Sequence, residues 1–303
     1  MRILITGVSG FVGRNLSEYL SGKYDVFAAT HADLDLLDAN AVKQYIEFNN
    51  IDFIVHCASY GGSRINNYDE KNCNVVEQNL RMFFNLERCI TPYMQMIHCG
   101  SGAEYDRLHW GHKMKEDFFD VYVPADAYGY AKYLISKYIT GRENIVCLRI
   151  FGLFGQYEDY RFKFISNSIV KNLLKMPIII NQNVIFDYLY IKDFLQIVEY
   201  LIQNEPKSKH YNITPTHSMD LLTVAQYINK ISDFKSEIII LHEGMNREYS
   251  GDNSRLLSEI GDFQFSSYIK SIQELYQFYK NNLATLDIET VKQDSYRTKC
   301  LKQ

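Results

Sequence analysis

The segment ITGVSGFVGRNL, residues 5–16, places three glycines at intervals of three between an apolar run and an amphipathic run. Gly7, Gly10 and Gly13 follow the strand-like run RILIT (2–6) and precede a stretch with apolar residues at helical spacing. A turn of this kind brings backbone amides at a helix N-terminus close to a pyrophosphate, and its last glycine lets helix and strand pack closely. The sequence therefore predicts a dinucleotide-binding strand–turn–helix unit at the start of the chain.

Short apolar runs rich in Val and Ile alternate with longer amphipathic segments through the first half of the chain. The pattern predicts strands at 2–6, 25–29, 52–57, 96–100 and 144–150, and helices at 11–22, 39–49, 70–91 and 128–141. Such alternation is typical of βαβ units, whose crossovers have a fixed hand. We therefore expect a Rossmann-type α/β fold, a doubly wound parallel sheet covered on both faces.

The regularity loosens after about residue 155. The later pattern predicts helices at 163–175, 219–231 and 266–282, and strands at 177–180 and 236–241. We expect a dinucleotide-binding domain over 1–155 and a smaller α/β substrate lobe over 156–303. A segment at about 184–204 is expected to pack back on the first domain, and the polar tail from about 285 to be loosely ordered.

The composition excludes several classes of protein. Hydrophobic residues make up 47% and charged residues 22% of the 303 residues, as in ordinary globular proteins. The net charge of -4 gives no reason to expect nucleic acid as a partner. No apolar run approaches the roughly 20 residues that cross a bilayer, and no signal peptide precedes the first strand, so we expect a cytoplasmic protein without a membrane partner.

The cysteines and histidines show no metal-binding spacing. No C-x-x-C pair occurs, and the His109 and His112 of HWGH lack a neighbouring set of Cys or carboxylate ligands. We expect no metal site. Free thiols, most of them buried, are the preferred interpretation of the six cysteines, Cys57, Cys73, Cys89, Cys99, Cys147 and Cys300.

The segment YGYAK, residues 128–132, places a tyrosine and a lysine on one face of a predicted helix. The spacing alone decides nothing, because the chain has 24 tyrosines and the same Tyr-x-x-x-Lys pattern recurs elsewhere. The other four pairs are Tyr19/Lys23, Tyr133/Lys137, Tyr188/Lys192 and Tyr276/Lys280.

The glycine spacing and the YGYAK segment together resemble the extended short-chain dehydrogenase/reductase family, also described as the NAD-dependent epimerase/dehydratase family. In that family a Ser or Thr ends a strand shortly before the tyrosine helix. CGSGAEY supplies Ser101 four residues before Tyr105, and Tyr128 follows Ser101 by 27 residues. The resemblance thus selects Ser101, Tyr128 and Lys132 as catalytic. A nearby ammonium favours the phenolate, which makes tyrosine an effective acid or base near neutral pH.

The resemblance also implies the residues that line the cofactor and the substrate. The implied cofactor is NADP, with NAD as the alternative, because Ala29, Thr30 and His31 put no acid at the end of the second strand, and Arg14 or His31 could neutralise a 2'-phosphate. The implied cofactor residues are Gly7, Ser9, Gly10, Phe11, Val12, Gly13, Arg14, Thr30, His31, Asp35, Leu36, Cys57, Ala58, Ser59, Asn79, Cys99 and Phe151. The implied substrate residues are Gly102, Gly152, Leu153, Asn167 and Arg247.

Within the family, the first half of the chain is most similar to the GDP-L-fucose synthases, which epimerise and then reduce a 4-keto-6-deoxy sugar. The epimerising Cys and His of that group are replaced here by Ala103 and Ser168. Gly102-Ala103 also stands where 4,6-dehydratases carry Asp-Glu, and Glu104 comes one residue later. The resemblance therefore implies reduction of a nucleotide-bound 4-keto-6-deoxy sugar without that epimerisation.

Several alternatives stay open at this stage. A nucleotide-sugar 4-epimerase with tightly bound NAD needs only the Ser, the Tyr and the cofactor. A non-catalytic nucleotide-binding protein of the same fold is less favoured, because such proteins usually lose the Tyr or the Lys. A GDP-sugar is the favoured substrate, with dTDP-, CDP- and UDP-sugars as alternatives. The resemblance places the enzyme in deoxysugar and polysaccharide biosynthesis and implies a homodimer through the helices at 70–91 and 128–141.

Overall fold

The computed structural model describes residues 1–61 and 74–294. Strands and helices alternate in its first half, as the sequence predicts. The elements are β1 (Arg2–Thr6), α1 (Phe11–Leu20), β2 (Asp25–Ala29), α2 (Ala39–Asn49), β3 (Phe53–His56), α3 (Val75–Glu87), β4 (Gln95–Ser101), α4 (Ala127–Ile139) and β5 (Ile145–Ile150). Three short 3-10 turns lie between β4 and α4, at Gly102–Tyr105, Arg107–His109 and Glu116–Phe118.

The second half of the described chain mixes short strands with helices. Its elements are β6 (Gly152–Phe154), α5 (Phe164–Leu173), β7 (Ile178–Asn183), β8 (Ile185–Phe186), β9 (Tyr188–Tyr190), α6 (Ile191–Gln203), β10 (His210–Ile213), β11 (Met219–Asp220), α7 (Leu221–Ile231), β12 (Ile238–Met245), α8 (Ser254–Ile260), α9 (Tyr268–Asn282) and α10 (Ile288–Lys292). A further 3-10 turn covers Leu283–Thr285.

A parallel sheet of six strands forms the centre of the molecule. The strand order is β10-β5-β4-β3-β1-β2, and every neighbouring pair is parallel. The chain therefore winds outward in opposite directions from the gap between β1 and β3. The carboxyl ends of all six strands meet at one edge, and a crevice at such a reversal point is where open α/β sheets bind ligands. The predicted Rossmann-type fold is confirmed.

The sheet is buried on both faces, which explains its continuous apolar strands. One face packs against α1, α6 and the later helices, with Ile3, Val55 and Leu148 among its core residues. The other face packs against α2, α3 and α4, with Ile54 and Met96 in its core. Alternate residues of each strand thus point to opposite cores.

Segments beyond residue 155 complete the nucleotide-binding sheet. β10 pairs with β5, from His210 opposite Cys147 to Ile213 opposite Ile150. α6 packs against α1, where Glu199 accepts hydrogen bonds from the Tyr19 hydroxyl and the Lys23 ammonium, each at 2.6 Å. This helix lies within the segment around 184–204.

The C-terminal segment differs in part from the loosely ordered tail expected from residue 285. α10 forms there, Val291 is buried, and Lys171 on α5 makes an ion pair with Asp294. The predictions for Cys73, Cys300, the first residues of the 70–91 helix and the tail 295–303 lie outside the described residues. Within the described part of the chain, no helix is long and apolar enough to cross a membrane.

A buried carboxyl group at the entrance to α5 makes stability depend on pH. Glu158 is 5% exposed, accepts a hydrogen bond from the Ser166 hydroxyl at 2.6 Å, and has its pKa raised to about 7 by burial. Because the folded state holds this proton more tightly than the unfolded chain, the stabilising effect is complete below the ordinary carboxyl pKa. It is lost as the pH rises through about 7.

We therefore expect Glu158→Gln, which resembles the protonated carboxyl, to stabilise the protein at about pH 8 by up to about 3 kcal/mol. At about pH 4 the two proteins should have similar stability. Urea unfolding at both pH values measures the difference, with the exposed Glu289→Gln as the control. A Glu158→Gln variant that is no more stable than its parent at the higher pH would contradict this role of burial.

Candidate active site

The glycine loop connects β1 to α1, as its sequence predicts, and it also lies against the segment that follows β3. Gly7 has a positive φ of 72°, and a Cβ there would lie 2.7 Å from the backbone nitrogen of Ala58. A Cβ on Gly13 would overlap the carbonyl oxygen of Gly7. Both positions therefore need glycine, since backbone occupies the space that a side chain would fill.

The start of α1 can hold a negatively charged group. Gly10 is the N-cap residue, and in the described part of the chain no side chain caps this helix or puts a carboxylate in its first turn. Its first amides and the positive end of its dipole therefore face the crevice unneutralised, beside the exposed Ser9 and the half-buried Phe11 and Val12. This arrangement fits the pyrophosphate of a dinucleotide.

A carboxylate from beyond the end of β2 returns to the residue that directly follows the strand. Asp33 folds back and accepts hydrogen bonds from the Thr30 backbone N–H at 2.9 Å and the Thr30 hydroxyl at 2.6 Å. These bonds lower the pKa of Asp33. His31 and Asp35 are exposed and lie 3.8 Å apart, whereas Leu36 is buried in the core.

Arg14 is held by its own helix. Its Nε atom lies 3.0 Å from Glu18, and its guanidinium lies 3.6 Å from the ring centre of Tyr157. The side chain is about half exposed at the first turns of α1. It is therefore already partnered on the side of the crevice where the predicted 2'-phosphate would bind.

Asn79 fastens the loop that follows β3. Its side-chain amide accepts from the Tyr60 N–H and the Ser59 hydroxyl, and donates to the Tyr60 carbonyl and the Val75 carbonyl. The residue is only 3% exposed, which excludes the alternative of a solvated helix face. Asn79 therefore shapes the wall of the crevice by holding its backbone.

The start of α4 is fixed beside the end of β4. Asp126 caps the helix by accepting from the Gly129 N–H at 2.9 Å, and it also binds Arg107 at 3.1 Å. A Cβ on Gly129 would lie 2.8 Å from the Ala103 carbonyl oxygen, so the two segments touch. Tyr128, half-buried, thus stands next to the turn that begins at Ser101.

Lys132 reaches from α4 to the strand ends. It is 2% exposed, and its ammonium donates to the carbonyl oxygen of Cys99 at 2.7 Å and lies 5.8 Å from the ring centre of Tyr128. Burial, assisted by this positive charge, lowers the pKa of the neighbouring His56 to about 3 and that of His98 well below its usual value. Lys132 is therefore a buried cation held beside Tyr128 and near the end of β4.

Carboxylates or other side chains bind the tyrosine in most of the competing Tyr/Lys pairs. The Tyr19 hydroxyl donates to Glu199, and the Tyr133 hydroxyl donates to Asp120. Burial and these carboxylates raise the pKa of both phenols. In the later pairs, Lys192 binds Glu274 and the Tyr276 hydroxyl bonds Asn172. These Tyr and Lys side chains therefore have partners that stabilise the fold.

Ser101 is held by a carboxylate from its own turn. Glu104 accepts from the Ser101 backbone N–H at 2.9 Å, while the Ser101 hydroxyl accepts from the Ala103 N–H at 3.1 Å. The other oxygen of Glu104 lies 2.9 Å from Arg149 in an ion pair whose members are 0% and 1% exposed. The Ser101 O–H remains able to donate toward the crevice.

Arg149 distributes its remaining donors over the surrounding elements. It donates to the Tyr105 hydroxyl at 3.2 Å and to Ser136 on α4 at 3.1 Å. Tyr105 is 1% exposed and in turn donates to Asn212 on β10 at 2.6 Å. Tyr105 is therefore a structural residue of this network.

An aromatic group that sequence reasoning missed covers the turn after Ser101. The Tyr249 hydroxyl occupies the space where a Cβ on Gly102 would lie, so the two residues are in contact. Tyr249 also packs on Trp110, Phe151 and Phe186, with ring centres 3.8, 4.8 and 5.2 Å away. Desolvation raises the pKa of this phenol, although the positive charge of Arg107 opposes the shift. No local motif signals Tyr249, because its role depends on a contact with residues more than a hundred positions earlier.

The predicted substrate residues are only partly brought together. Gly152 lies against the Asp187 carbonyl oxygen, next to the half-buried Leu153. Asn167 is 3% exposed and donates to the backbone carbonyls of Tyr160 and Arg161, so its amide serves the turn before α5. The exposed Arg247 follows the end of β12.

Most of the residues described above lie in a region that matches one known protein family. The NAD dependent epimerase/dehydratase family matches residues 3–214, which include the glycine loop, Ser101 and the YGYAK helix. The chain belongs to this family. The predicted membership, the enzyme class and a nicotinamide dinucleotide as cofactor are thereby confirmed at the level of the family.

Individual relatives span nearly the whole chain. GDP-6-deoxy-D-talose 4-dehydrogenase from Aggregatibacter actinomycetemcomitans is 27% identical over 307 residues, covering 95% of this chain and 100% of that enzyme. A GDP-L-fucose synthetase from Naegleria fowleri bound to NADP has a TM-score of 0.79 at 17% identity and covers 94% of this chain and 95% of its own. A GDP-mannoheptose C4 reductase from Campylobacter jejuni with NADP bound has a TM-score of 0.78 at 18% identity. The match covers 92% of this chain and 98% of that protein. The two solved structures establish a common fold.

The buried ion pair behind Ser101 gives a direct test of the site framework. We expect Glu104→Gln to lower the free energy of unfolding by about 3 kcal/mol, because Arg149 would keep a buried charge without its counter-ion. Glu77→Gln is the matched control, since Glu77 and Arg81 form an exposed pair on α3 worth less than about 1 kcal/mol. Urea denaturation measures both, and equal effects of the two substitutions would contradict the role given to Glu104.

Proposed function

We propose that this protein reduces the C4 ketone of a nucleotide-activated 4-keto-6-deoxy sugar and leaves the neighbouring carbons unchanged. The matched family and relatives support the general class, a nucleotide-sugar-modifying enzyme of the NAD dependent epimerase/dehydratase family. The proposal of C4 reduction without epimerisation rests on the side chains around Ser101.

The observation that carries the proposal is the chemistry of the turn after Ser101. Gly102 and Ala103 cannot remove a proton from carbon, and Ala103 is 2% exposed. Glu104 is turned away from the crevice into the ion pair with Arg149, which excludes it as the acid or base of a dehydratase. Ser168 on α5 is buried and has no activating base in the described part of the chain. This set of side chains supports carbonyl reduction without proton abstraction from carbon.

The residues that remain suit proton transfer to a ketone oxygen. When bound, the nicotinamide supplies the hydride to the carbon. Tyr128 would give its phenolic proton to the oxygen, and the charge of Lys132 would stabilise the phenolate left behind. The Ser101 hydroxyl would donate to the same oxygen and hold the carbonyl in place.

We propose NADP as the cofactor and a GDP-sugar as the substrate. The support for NADP is that β2 ends in Ala29, Thr30 and His31 without an acid at the strand end. Asp33 is the opposing feature, because its carboxylate returns to Thr30 and would repel a 2'-phosphate. The support for GDP is the whole-length similarity to GDP-6-deoxy-D-talose 4-dehydrogenase.

We also propose a homodimer formed through α3 and α4. The two helices pack side by side on one face of the sheet, and Tyr130 on α4 is 37% exposed there. Light scattering of the purified protein should give twice the mass of one chain, and a monomer at micromolar concentration would contradict the proposal.

The catalytic assignment is tested by exchanging one phenol at a time. We expect Tyr128→Phe to lower the rate of reduction by about 10³-fold while dinucleotide affinity is kept, because only the proton donor is lost. Tyr133→Phe is the matched control one turn later on the same helix, and its activity should stay close to that of the parent. The reaction is followed by the loss of reduced nicotinamide absorbance with GDP-, dTDP-, CDP- and UDP-linked 4-keto-6-deoxy sugars, using NADPH and NADH in parallel.

The product analysis separates the proposed function from its rival. Consumption of one reduced cofactor for each sugar supports the reductase. Interconversion of sugars without net consumption would instead establish the 4-epimerase. If Tyr133→Phe is the inactive variant, the assignment of the catalytic pair is wrong.

A further inference from the structure

Two free thiols meet at the floor of the crevice. The sulfur atoms of Cys57 and Cys99 lie 3.5 Å apart, at the carboxyl ends of the neighbouring strands β3 and β4. The register pairs His56 with His98, so the two cysteines are the next residues along both strands. Neighbouring strands lie about 4.8 Å apart, which is within the Cα separation that a disulfide can bridge.

Their surroundings favour sulfur chemistry at this pair. Cys57 is partly exposed beside the crevice, whereas Cys99 is buried at 7% exposure. The hydrogen bond between the two thiols and the positive charge of Lys132 lower the pKa of Cys99, whereas the same bond and burial raise the pKa of Cys57. The other two described cysteines differ, since Cys147 is buried beside Glu104 and Cys89, just after α3, bonds the backbone carbonyl of Asn85.

We propose that Cys57 and Cys99 form an oxidisable dithiol, a modification site that hydrogen peroxide converts into a cross-strand disulfide. One sulfur attacks a peroxide oxygen, so that an S–O bond forms, the O–O bond breaks and one water leaves. The second sulfur then attacks the resulting sulfenic acid, so that the S–S bond forms, the S–O bond breaks and a second water leaves. The two thiols together lose two hydrogens, and the peroxide is reduced to two waters.

The disulfide would change the binding crevice from below. A Cβ on Gly7 would lie 2.7 Å from the Ala58 nitrogen and 3.0 Å from the Cys57 carbonyl carbon, so the glycine loop rests on this part of β3. The Cys99 carbonyl is the acceptor of Lys132. Drawing the two sulfurs together displaces both supports, and we expect weaker dinucleotide binding in the oxidised protein. Since the pair spans adjacent strands, we also expect a thiol reductant to restore the dithiol readily.

Mass spectrometry of the purified full-length protein tests the proposal. The probe is hydrogen peroxide, applied to a C73S/C300S background because those two cysteines lie outside the described residues. We expect a mass loss of about 2 Da and a peptide that links Cys57 to Cys99. Cys57→Ser and Cys99→Ser should each abolish the loss, while the matched controls Cys89→Ser and Cys147→Ser should retain it.

The outcomes are decisive in both directions. Links through other cysteines, or only sulfinic acids without a link, would overturn the dithiol. Dinucleotide titration before and after oxidation, followed by fluorescence, should show at least a tenfold loss of affinity that dithiothreitol reverses. Unchanged affinity of a fully linked protein would overturn the predicted effect on the crevice.

A protection experiment separates this inference from the proposed function. Bound NADP should slow formation of the link at least severalfold if the dithiol lies beneath the cofactor. A link that forms at the same rate with saturating NADP would leave the dithiol established and would contradict the placement of the cofactor over Cys57.

Discussion

A buried guanidinium holds together the elements that carry the candidate catalytic residues. Arg149 on β5 bonds Glu104 behind Ser101, Tyr105 in the same turn, and Ser136 on α4. Removing an arginine from water costs several kcal/mol unless every donor finds an acceptor. A shift of the Ser101 turn or of α4 would leave a donor of Arg149 unpaired. The buried charge of Arg149 therefore helps to set the distance between Ser101 and α4, although Arg149 belongs to neither segment.

The same reasoning explains how one tyrosine among 24 is set apart. Tyr19 and Tyr133 donate to carboxylates, and burial together with these carboxylates raises the pKa of both phenols and keeps them protonated. Tyr128 shares its helix face with Lys132, whose ammonium is directed to a backbone carbonyl. An identical spacing thus places two of the other pairs beside a carboxylate, whereas the pair that we propose to be catalytic lies beside a neutral acceptor. The local charge, and not the motif, distinguishes them.

The sequence predicts what depends on local periodicity and misses what depends on distant contacts. The strands at 2–6 and 25–29 match their predicted bounds. Consecutive residues of such a strand face two different apolar cores, so the strand can be recognised from a short apolar run alone. β10 was not predicted, since its four residues become a strand only by pairing with β5, some sixty positions earlier. Tyr249 was missed for the same reason, whereas Asp33 lies beyond the end of β2 and reaches Thr30 only because the chain turns back there. The contact of Tyr249 with Gly102, and the return of Asp33 onto Thr30, are products of the fold.

The position of β10 also constrains how the molecule is made. This edge strand of the central sheet is separated from β5 by α5, α6 and four short strands that lie outside this sheet. A chain emerging from the ribosome cannot finish its sheet until residue 213 has left the exit tunnel, although the glycine loop appears within the first fifteen residues. During that interval the edge of β5 stays without its partner strand, and unpaired strand edges favour aggregation. A fragment that stops near residue 155 would keep this edge permanently open.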